Sequence, residues 1–499
     1  MVVHRRDQRF ASPNEKRCII REDLGFYNAV VVGAIYEFQH DAPDLKSKHT
    51  LGNLLRDCVA RHPLLNAIVQ DANTEKPYFE PAQKIDIENH IIVLDYPEQS
   101  VSANWDEMDA IEWALPAIHD RQFPPSTPPW RIEVLPLPDQ SDTPPNKSFI
   151  AFSFSHGLGD GKTGIVFHQN LLSALQQGSS SSTQQSDDLF SLPPPFDTPQ
   201  RLPISWSYLL GPLICHLFPP FLTRLLGLSP SSASPDAGTW TGSPIFYPPS
   251  TLTTKVKNFE IDSETMNRVL RLCRQNNAKF TGLLNHLLAR SMGKCLLDSK
   301  YNRSSESTVT NLVAQTALNL RPAAGEKDDT MGLFATTASE KYFVPSSSAS
   351  PAYENQRLWA SAKSTTQALS LAAASLRDQP LGLLRYVSNM RSWMQNKIGQ
   401  ARVESFEVSN LGAFVVGSGL EKEKRGVEIT KMVFSQPANV TGPPVNFSVV
   451  AVRGGACIVT VSWQGGGFGL EKGDGEGERE EDFVARICED VEISLKELS

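Results

Sequence analysis

The residue types that could do chemistry are concentrated in one stretch. Residues 148–164 read Ser-Phe-Ile-Ala-Phe-Ser-Phe-Ser-His-Gly-Leu-Gly-Asp-Gly-Lys-Thr-Gly, and an apolar-periodic segment continues to Gly178. His156, Asp160 and Gly161 make a His-x-x-x-Asp-Gly pattern, for which three readings compete. In one, a buried structural histidine stands beside a helix-capping aspartate. In another, Gly161-Lys162-Thr163 ends a phosphate loop, but that pattern needs glycine where His156 stands. In the third, His156 is a general base and Asp160 fixes the local geometry. A second His-x-x-x-Asp, His40 to Asp44, lacks the following glycine and contains Asp-Ala-Pro, which reads as a turn.

The elements around His156 favour the first occurrence. Ile150, Phe152 and Phe154 alternate with Ala151, Ser153 and Ser155, which predicts a half-buried strand. His156 shares the parity of the large apolar residues and is expected to point inward. Gly157, Gly159 and Gly161 imply a tight turn with little bulk. Ile165, Val166, Phe167, Leu171, Leu172 and Leu175 recur at helical spacing.

Upstream, the apolar run ending at Tyr36 predicts a buried strand, and Lys46 to Arg61 an amphipathic helix stopped by His62-Pro63. His62 reads as a helix-end residue. Leu64 to Val69 and Ile91 to Leu94 read as strands, Ala103 to Ile118 as a helix, and Trp130 to Leu135 as a strand entering from a proline-rich connection. From Gly178 to about Ser250 the composition turns Ser- and Pro-rich, with a strongly apolar stretch from Trp206 to Leu228. Its prolines argue against a spanning helix. A broken helix on the core, a lid, or peripheral contact with a membrane remain open for it.

After Lys255, helices are expected at 262–273 and 281–296, with His286 a structural residue of the second. Further helices are expected at 361–377, 381–398 and 483–498. Strands are expected at 309–320, from Met331, and at 406–412, 432–436, 445–452 and 457–463, with a loop at 465–481. Strands and helices alternate in both halves, so the class is α/β or α+β. The expected division is 1–178, an insertion at 179–254, and 255–499.

At 499 residues the chain is too long for one ordinary core. A formal net charge of −8 with no basic cluster speaks against nucleic acid. Seven scattered cysteines without Cys-x-x-Cys spacing predict reduced thiols and no metal site. The first ten residues lack the apolar core of a signal peptide, so a cytoplasmic location is expected.

The chain resembles the fungal alcohol O-acetyltransferases, within the superfamily of chloramphenicol acetyltransferase, the plant BAHD enzymes and condensation domains. The likeness runs through Leu24-Gly25-Phe26-Tyr27, Arg61-His62-Pro63-Leu64, Trp130-Arg131-Ile132, the His156 to Gly161 motif, Ser409-Asn410-Leu411-Gly412, Phe434-Ser435-Gln436 and Val461-Ser462-Trp463-Gln464. The BAHD Asp-Phe-Gly-Trp-Gly element is absent. The resemblance implies two chloramphenicol acetyltransferase-like domains with a tunnel between them, where acyl-CoA and an alcohol meet at His156. No bound cofactor is implied, acetyl-CoA being a co-substrate, and a monomer is expected. Asp160 would turn away from the site and pair with an arginine, for which Arg321 is the candidate. Gly161 would allow close backbone approach, and Ser409, Asn410 and Gln436 are candidates for the tunnel wall or the oxyanion. Alternatives stay open: a longer or carrier-bound acyl donor, an amine acceptor, or a non-catalytic binding or scaffold protein that keeps the fold.

Overall fold

The strand that leads to His156 is buried on both faces, and the reason lies in what covers it. The computed structural model describes residues 8–38, 43–95, 105–137, 147–177, 192–210, 233–298, 309–344, 351–415, 426–470 and 476–498. In chain order its strands are β1 (Arg9–Phe10), β2 (Val30–Phe38), β3 (Ala67–Gln70), β4 (Tyr78–Pro81), β5 (Ile91–Val93), β6 (Trp130–Pro136) and β7 (Lys147–Phe154). They continue as β8 (Thr254–Ile261), β9 (Asn311–Asn319), β10 (Ala335–Phe343), β11 (Phe406–Phe414), β12 (Val427–Ser435), β13 (Val445–Val452) and β14 (Cys457–Gln464). The helices are α1 (Pro13–Asp23), α2 (Lys48–Arg61), α3 (Glu107–Asp120), α4 (Gly161–Gln177), α5 (Ser263–Gln275), α6 (Phe280–Leu297), α7 (Arg321–Ala324), α8 (Pro351–Ala373), α9 (Met390–Gln395) and α10 (Glu476–Glu497).

Two mixed sheets dominate. One has the order β12-β2-β7-β6-β5 and the other β10-β9-β11-β13-β14-β8. In β7, Ile150, Phe152 and Phe154 join the core that includes α2 and α4, with Phe152 stacked on Phe167 at 4.1 Å. Phe149 and Ala151 face the opposite layer, against Ala110, Ile111 and Ala114 of α3. Ser153, which reads as a solvent-side residue, is fully buried and donates to Glu133, itself paired with Arg131 at 3.1 Å. The half-buried strand is thus a fully buried one, because helices cover both sides of its sheet.

The boundary at 254 is crossed by one strand. β12, from the C-terminal part of the chain, pairs antiparallel with β2 and completes the first sheet. The second sheet carries the helices α5, α6, α8 and α10. Other expectations shift locally. Residues 63–66 form a 3-10 turn before β3, because Pro63 interrupts strand geometry. The helix expected at 381–398 is a 3-10 segment, Pro380–Tyr386, followed by α9. Met331 to Phe334 precede β10 as irregular chain, and α10 begins at Glu476, inside the expected loop. Residues 179–191 and 211–232, which include most of the apolar stretch, and Cys215, lie outside the described residues. Among the described residues no helix is long and apolar enough to cross a membrane.

Two fully buried histidines brace the first sheet. His168 accepts from the Tyr36 hydroxyl at Nδ1 and donates from Nε2 to Val32 O. His119 donates to Ala29 O and accepts from Ser435 at the end of β12. Burial pushes both down to about 4 from the ordinary 6.5. Unfolding lets them take up protons below pH 6.5, so stability is complete above that pH and falls as pH drops toward 4. Each should withdraw about 3 kcal/mol across that window. Urea midpoints between pH 7.5 and 4.5 should fall accordingly, and His168→Gln should flatten the fall by roughly one histidine's share.

Candidate active site

β7 stops at Phe154, and His156 belongs to the turn that follows. It therefore does not continue the strand's pleat into the core; its ring lines a cavity of about 310 Å³ between the two sheets. Ser155 N–H donates to Pro129 O, and Leu158 N–H to Ser155 O, which closes the turn. His156 Nδ1 lies 2.9 Å from the carbonyl oxygen of Gly159. A carbonyl only accepts, so Nδ1 carries the proton and Nε2 keeps its lone pair. Gly159 has no room for a side chain, since a Cβ would lie 2.2 Å from Thr163 Oγ1. The imidazole is held well below its ordinary range, at about 4, first by burial and then by the charges of Arg21 and Arg17. It is neutral at physiological pH.

Asp160 faces away from His156. Its Oδ2 accepts from Arg321 Nη1 at 2.8 Å and from Phe334 N–H at 2.9 Å, and its Oδ1 accepts from Lys162 N–H. Arg321 is completely buried. It also donates to Thr330 O, Asn319 Oδ1 and Gly332 O, and lies over the Phe334 ring. Asp160 N–H donates to Gly332 O, and Gly332 has φ +145, a backbone state that favours glycine. Through Oδ2 and its N–H this aspartate thus ties the His156 turn to the segment 319–334 of the other half, while Oδ1 caps the start of α4. Gly161 starts α4 where a Cβ would meet Leu411 at 2.6 Å and Phe434 at 3.2 Å. The absent side chain lets β11 and β12 pass over the helix end.

The remaining sequence candidates separate by strand parity. Ser409 lines the cavity, and its hydroxyl has no partner among the described residues. Asn410, next along β11, points the other way. It donates to Thr281 Oγ1 and accepts from Gly412 N–H, beside a separate cavity of about 510 Å³. It is not a wall of the His156 cavity. Gln436 does line it, but its amide is engaged, accepting from the Tyr27 hydroxyl at 2.8 Å and donating to Glu407 at 3.1 Å. Gln436 is therefore a brace of the wall rather than a free donor for an oxyanion. His62 and His286 stand elsewhere, hydrogen-bonded to Asn170 and Thr365.

Sequence reasoning missed the charged wall. α1 contributes Arg17 and Arg21, β11 contributes Glu407, and the segments flanking it bring Lys397 and Glu404. Burial raises Glu407 and lifts Glu404 to about 6. Tyr27 stands with its ring 5.7 Å from the His156 ring, and the Arg21 guanidinium lies 3.8 Å from the Tyr27 ring centroid. Ser155 donates to Glu22, whose carboxyl burial lifts to about 7. The only hint in the sequence was that Arg17 and Arg21 are four residues apart, on one helix face.

Two mixed sheets with a histidine at their seam make the fold shared by solved condensation domains and acetyltransferases. In fold the chain is similar to TRI3 trichothecene 15-O-acetyltransferase from Fusarium sporotrichioides, with a TM-score of 0.63 at 12% identity over 97% of this chain and 94% of that one. It is also similar to the condensation domain of Monacolin K polyketide synthase MokA, with a TM-score of 0.56 at 12% identity over 98% and 97%. The chain belongs to the alcohol acetyltransferase family, which matches residues 15–484. Its relatives include "Probable alcohol acetyltransferase crmB" of Aspergillus fumigatus, 24% identical over 94% of this chain and 95% of that protein. Another is "Probable alcohol acetyltransferase FCK4" of Fusarium pseudograminearum, 21% identical over 90% and 86%.

Breaking the Asp160–Arg321 pair from one side leaves a buried charge alone. Arg321→Ala should lower unfolding free energy by about 3–5 kcal/mol, whereas Asp160→Asn with Arg321→Met should cost less than the single change. Urea denaturation of the single and double variants measures this directly.

Proposed function

We propose that the chain transfers an acetyl group from acetyl-CoA to an alcohol hydroxyl, with His156 as general base. The observation that carries this reading is the Gly159 carbonyl on Nδ1, which leaves the basic Nε2 for the cavity. The alcohol O–H donates to Nε2. As its oxygen bonds to the thioester carbonyl carbon, the proton passes to the imidazole. When the tetrahedral intermediate collapses, the C–S bond breaks, and the imidazolium returns the proton to the departing sulfur. The ester and the free CoA thiol then leave. A thioester is already activated, so no covalent enzyme intermediate is needed.

The remaining site residues have supporting parts. Ser409 offers an unpartnered hydroxyl to the developing oxyanion. Asp160 and Arg321 hold the turn that aims His156, and Gly161 admits the strands that roof the cavity. We place the division of labour at the seam, with residues 1–178 supplying the base and 255–499 supplying the anchor and the roof.

Thiol release from acetyl-CoA with an alcohol panel tests the reading, with the ester identified by mass spectrometry. His156→Ala should lower kcat/KM by about 10²–10⁴. Release that ignores His156, or occurs only with hexanoyl-CoA or with amine acceptors, would sink the base or the substrate assignment respectively. The pH profile gives a second check. The base must be neutral and its range is depressed, so the acid limb of kcat/KM belonging to His156 should appear near pH 4 rather than near 6.5.

A further inference from the structure

Arg21 is buried, 7% exposed, and lines the His156 cavity. Its guanidinium makes no hydrogen bond or direct ion pair among the described residues, and Glu407 acts on it only beyond ion-pair distance. Its Nε is buried without any partner. Its one close contact is with the face of Tyr27. Arg17, on the same wall, donates only to Asn14 Oδ1 and Cys18 Sγ. Lys397 lies over Trp393 and is attracted to Glu404. The cavity's acids do not balance these cations. Asp160 is spent on Arg321, Glu407 accepts from Gln436, and burial lifts the carboxyls of Glu404 and Glu407. A buried guanidinium left unpaired is costly, and its planar fork matches a carboxylate.

We propose that the acceptor is a hydroxy acid, whose carboxylate pairs with the Arg21 guanidinium beside Arg17 while its hydroxyl meets His156 Nε2. The proposal rests on the acetyl-transfer reading above and names the substrate class for it. Distance argues for the acceptor as the carrier of the anion. The Arg21 guanidinium is 3.8 Å from a tyrosine ring that is itself 5.7 Å from the imidazole, so it lies no farther from His156 than those two steps together. The pantetheine arm separates the CoA thiol from its pyrophosphate by about 14 Å, four residue lengths of extended chain. A thioester at His156 with its arm extended therefore carries the CoA phosphates past Arg21. An acetyl group carries no anion, which leaves the alcohol.

The test compares 4-(hydroxymethyl)benzoate with its methyl ester and with benzyl alcohol, using acetyl-CoA and following thiol release. Wild type should favour the acid, with kcat/KM at least tenfold above either neutral probe. Arg21→Met should raise KM for the acid at least tenfold more than KM for benzyl alcohol, and because Arg21 also opposes protonation of His156, any change in kcat should be shared by both probes. Arg21→Lys, which keeps the charge without the fork, should fall between. Equal losses of kcat/KM on acid and neutral probes would overturn the proposal, because Arg21 would then serve the reacting atoms alone. Preference of wild type for the neutral probes would also overturn it. Turnover of malonyl-CoA with benzyl alcohol that depends on Arg21 would move the anion to the donor and overturn the acceptor assignment. Calorimetric binding of 4-(hydroxymethyl)benzoate keeps the two readings apart. If turnover is absent but the acid binds wild type and not Arg21→Met, with both proteins melting alike, the carboxylate site stands and the acetyl-transfer reading fails. If the acid binds neither, or both equally, the carboxylate site falls.

Discussion

The buried pair between Asp160 and Arg321 is the constraint on which the site depends. It joins the turn after β7 to the segment after β9, residues 161 positions apart in the chain. Ion pairs of this kind are weak sources of net stability, since desolvation offsets much of their attraction. What they supply here is uniqueness. Arg321 has five donors, and its guanidinium's four hydrogen bonds among the described residues end on Asp160, Asn319 and the carbonyls of Thr330 and Gly332. The histidine turn is thus fixed by contacts on its far side, while its near side stays free of bonds that a substrate would have to break.

The seam is closed by a second device, a strand from the second half of the chain that joins the first sheet. β12 pairs with β2, yet its neighbours in sequence belong to the second half. His119 receives Ser435 at the end of that strand, and Gln436 next to it links Tyr27 to Glu407. The cavity wall is consequently made from both halves at the place where the backbone passes from one sheet to the other. Arg402, from the chain just before β11, donates to Val440 O and Gly442 O and holds the following loop against the same cavity. Buried polar groups that satisfy one another across a seam make its geometry all-or-none.

Much of the first half was legible because its signals are local. The alternation in β7, the glycine turn and the period of α4 each follow from neighbouring residues, and the motif at His156 needs only those three elements. The burial of Ser153 was not legible, because it depends on Glu133, a residue from the adjoining strand. The same holds for β12, whose apolar pattern cannot say which sheet it joins. Asn410 and Ser409 could not be told apart in sequence, since parity decides which faces the cavity only once the strand's position is known. The charged wall was invisible for a similar reason. Arg17 and Arg21 look like solvated residues on a surface helix, and only the packing of α1 over the seam turns them inward.

The electrostatics of the cavity explain why Asp160 is turned away. A carboxylate at Nδ1 would stabilise the imidazolium and raise the histidine's pKa. Here a neutral carbonyl, Gly159 O, orients the ring without adding charge, and Arg21 and Arg17 oppose its protonation. The result is a weak base whose conjugate acid is strong. That balance suits acyl transfer from a thioester. The thioester carbonyl is reactive enough to accept an alcohol whose proton leaves as the new bond forms, so base strength is not the main demand. In the proposed transfer the departing thiolate is protonated promptly to prevent reversal, and an acidic imidazolium would do this with a large driving force. The cations that hold the histidine neutral also need an anion of their own, because burial withholds water from them. A negatively charged acceptor would meet that need only when the site is filled, leaving His156 neutral in the empty enzyme and less opposed to protonation at the moment the proton moves.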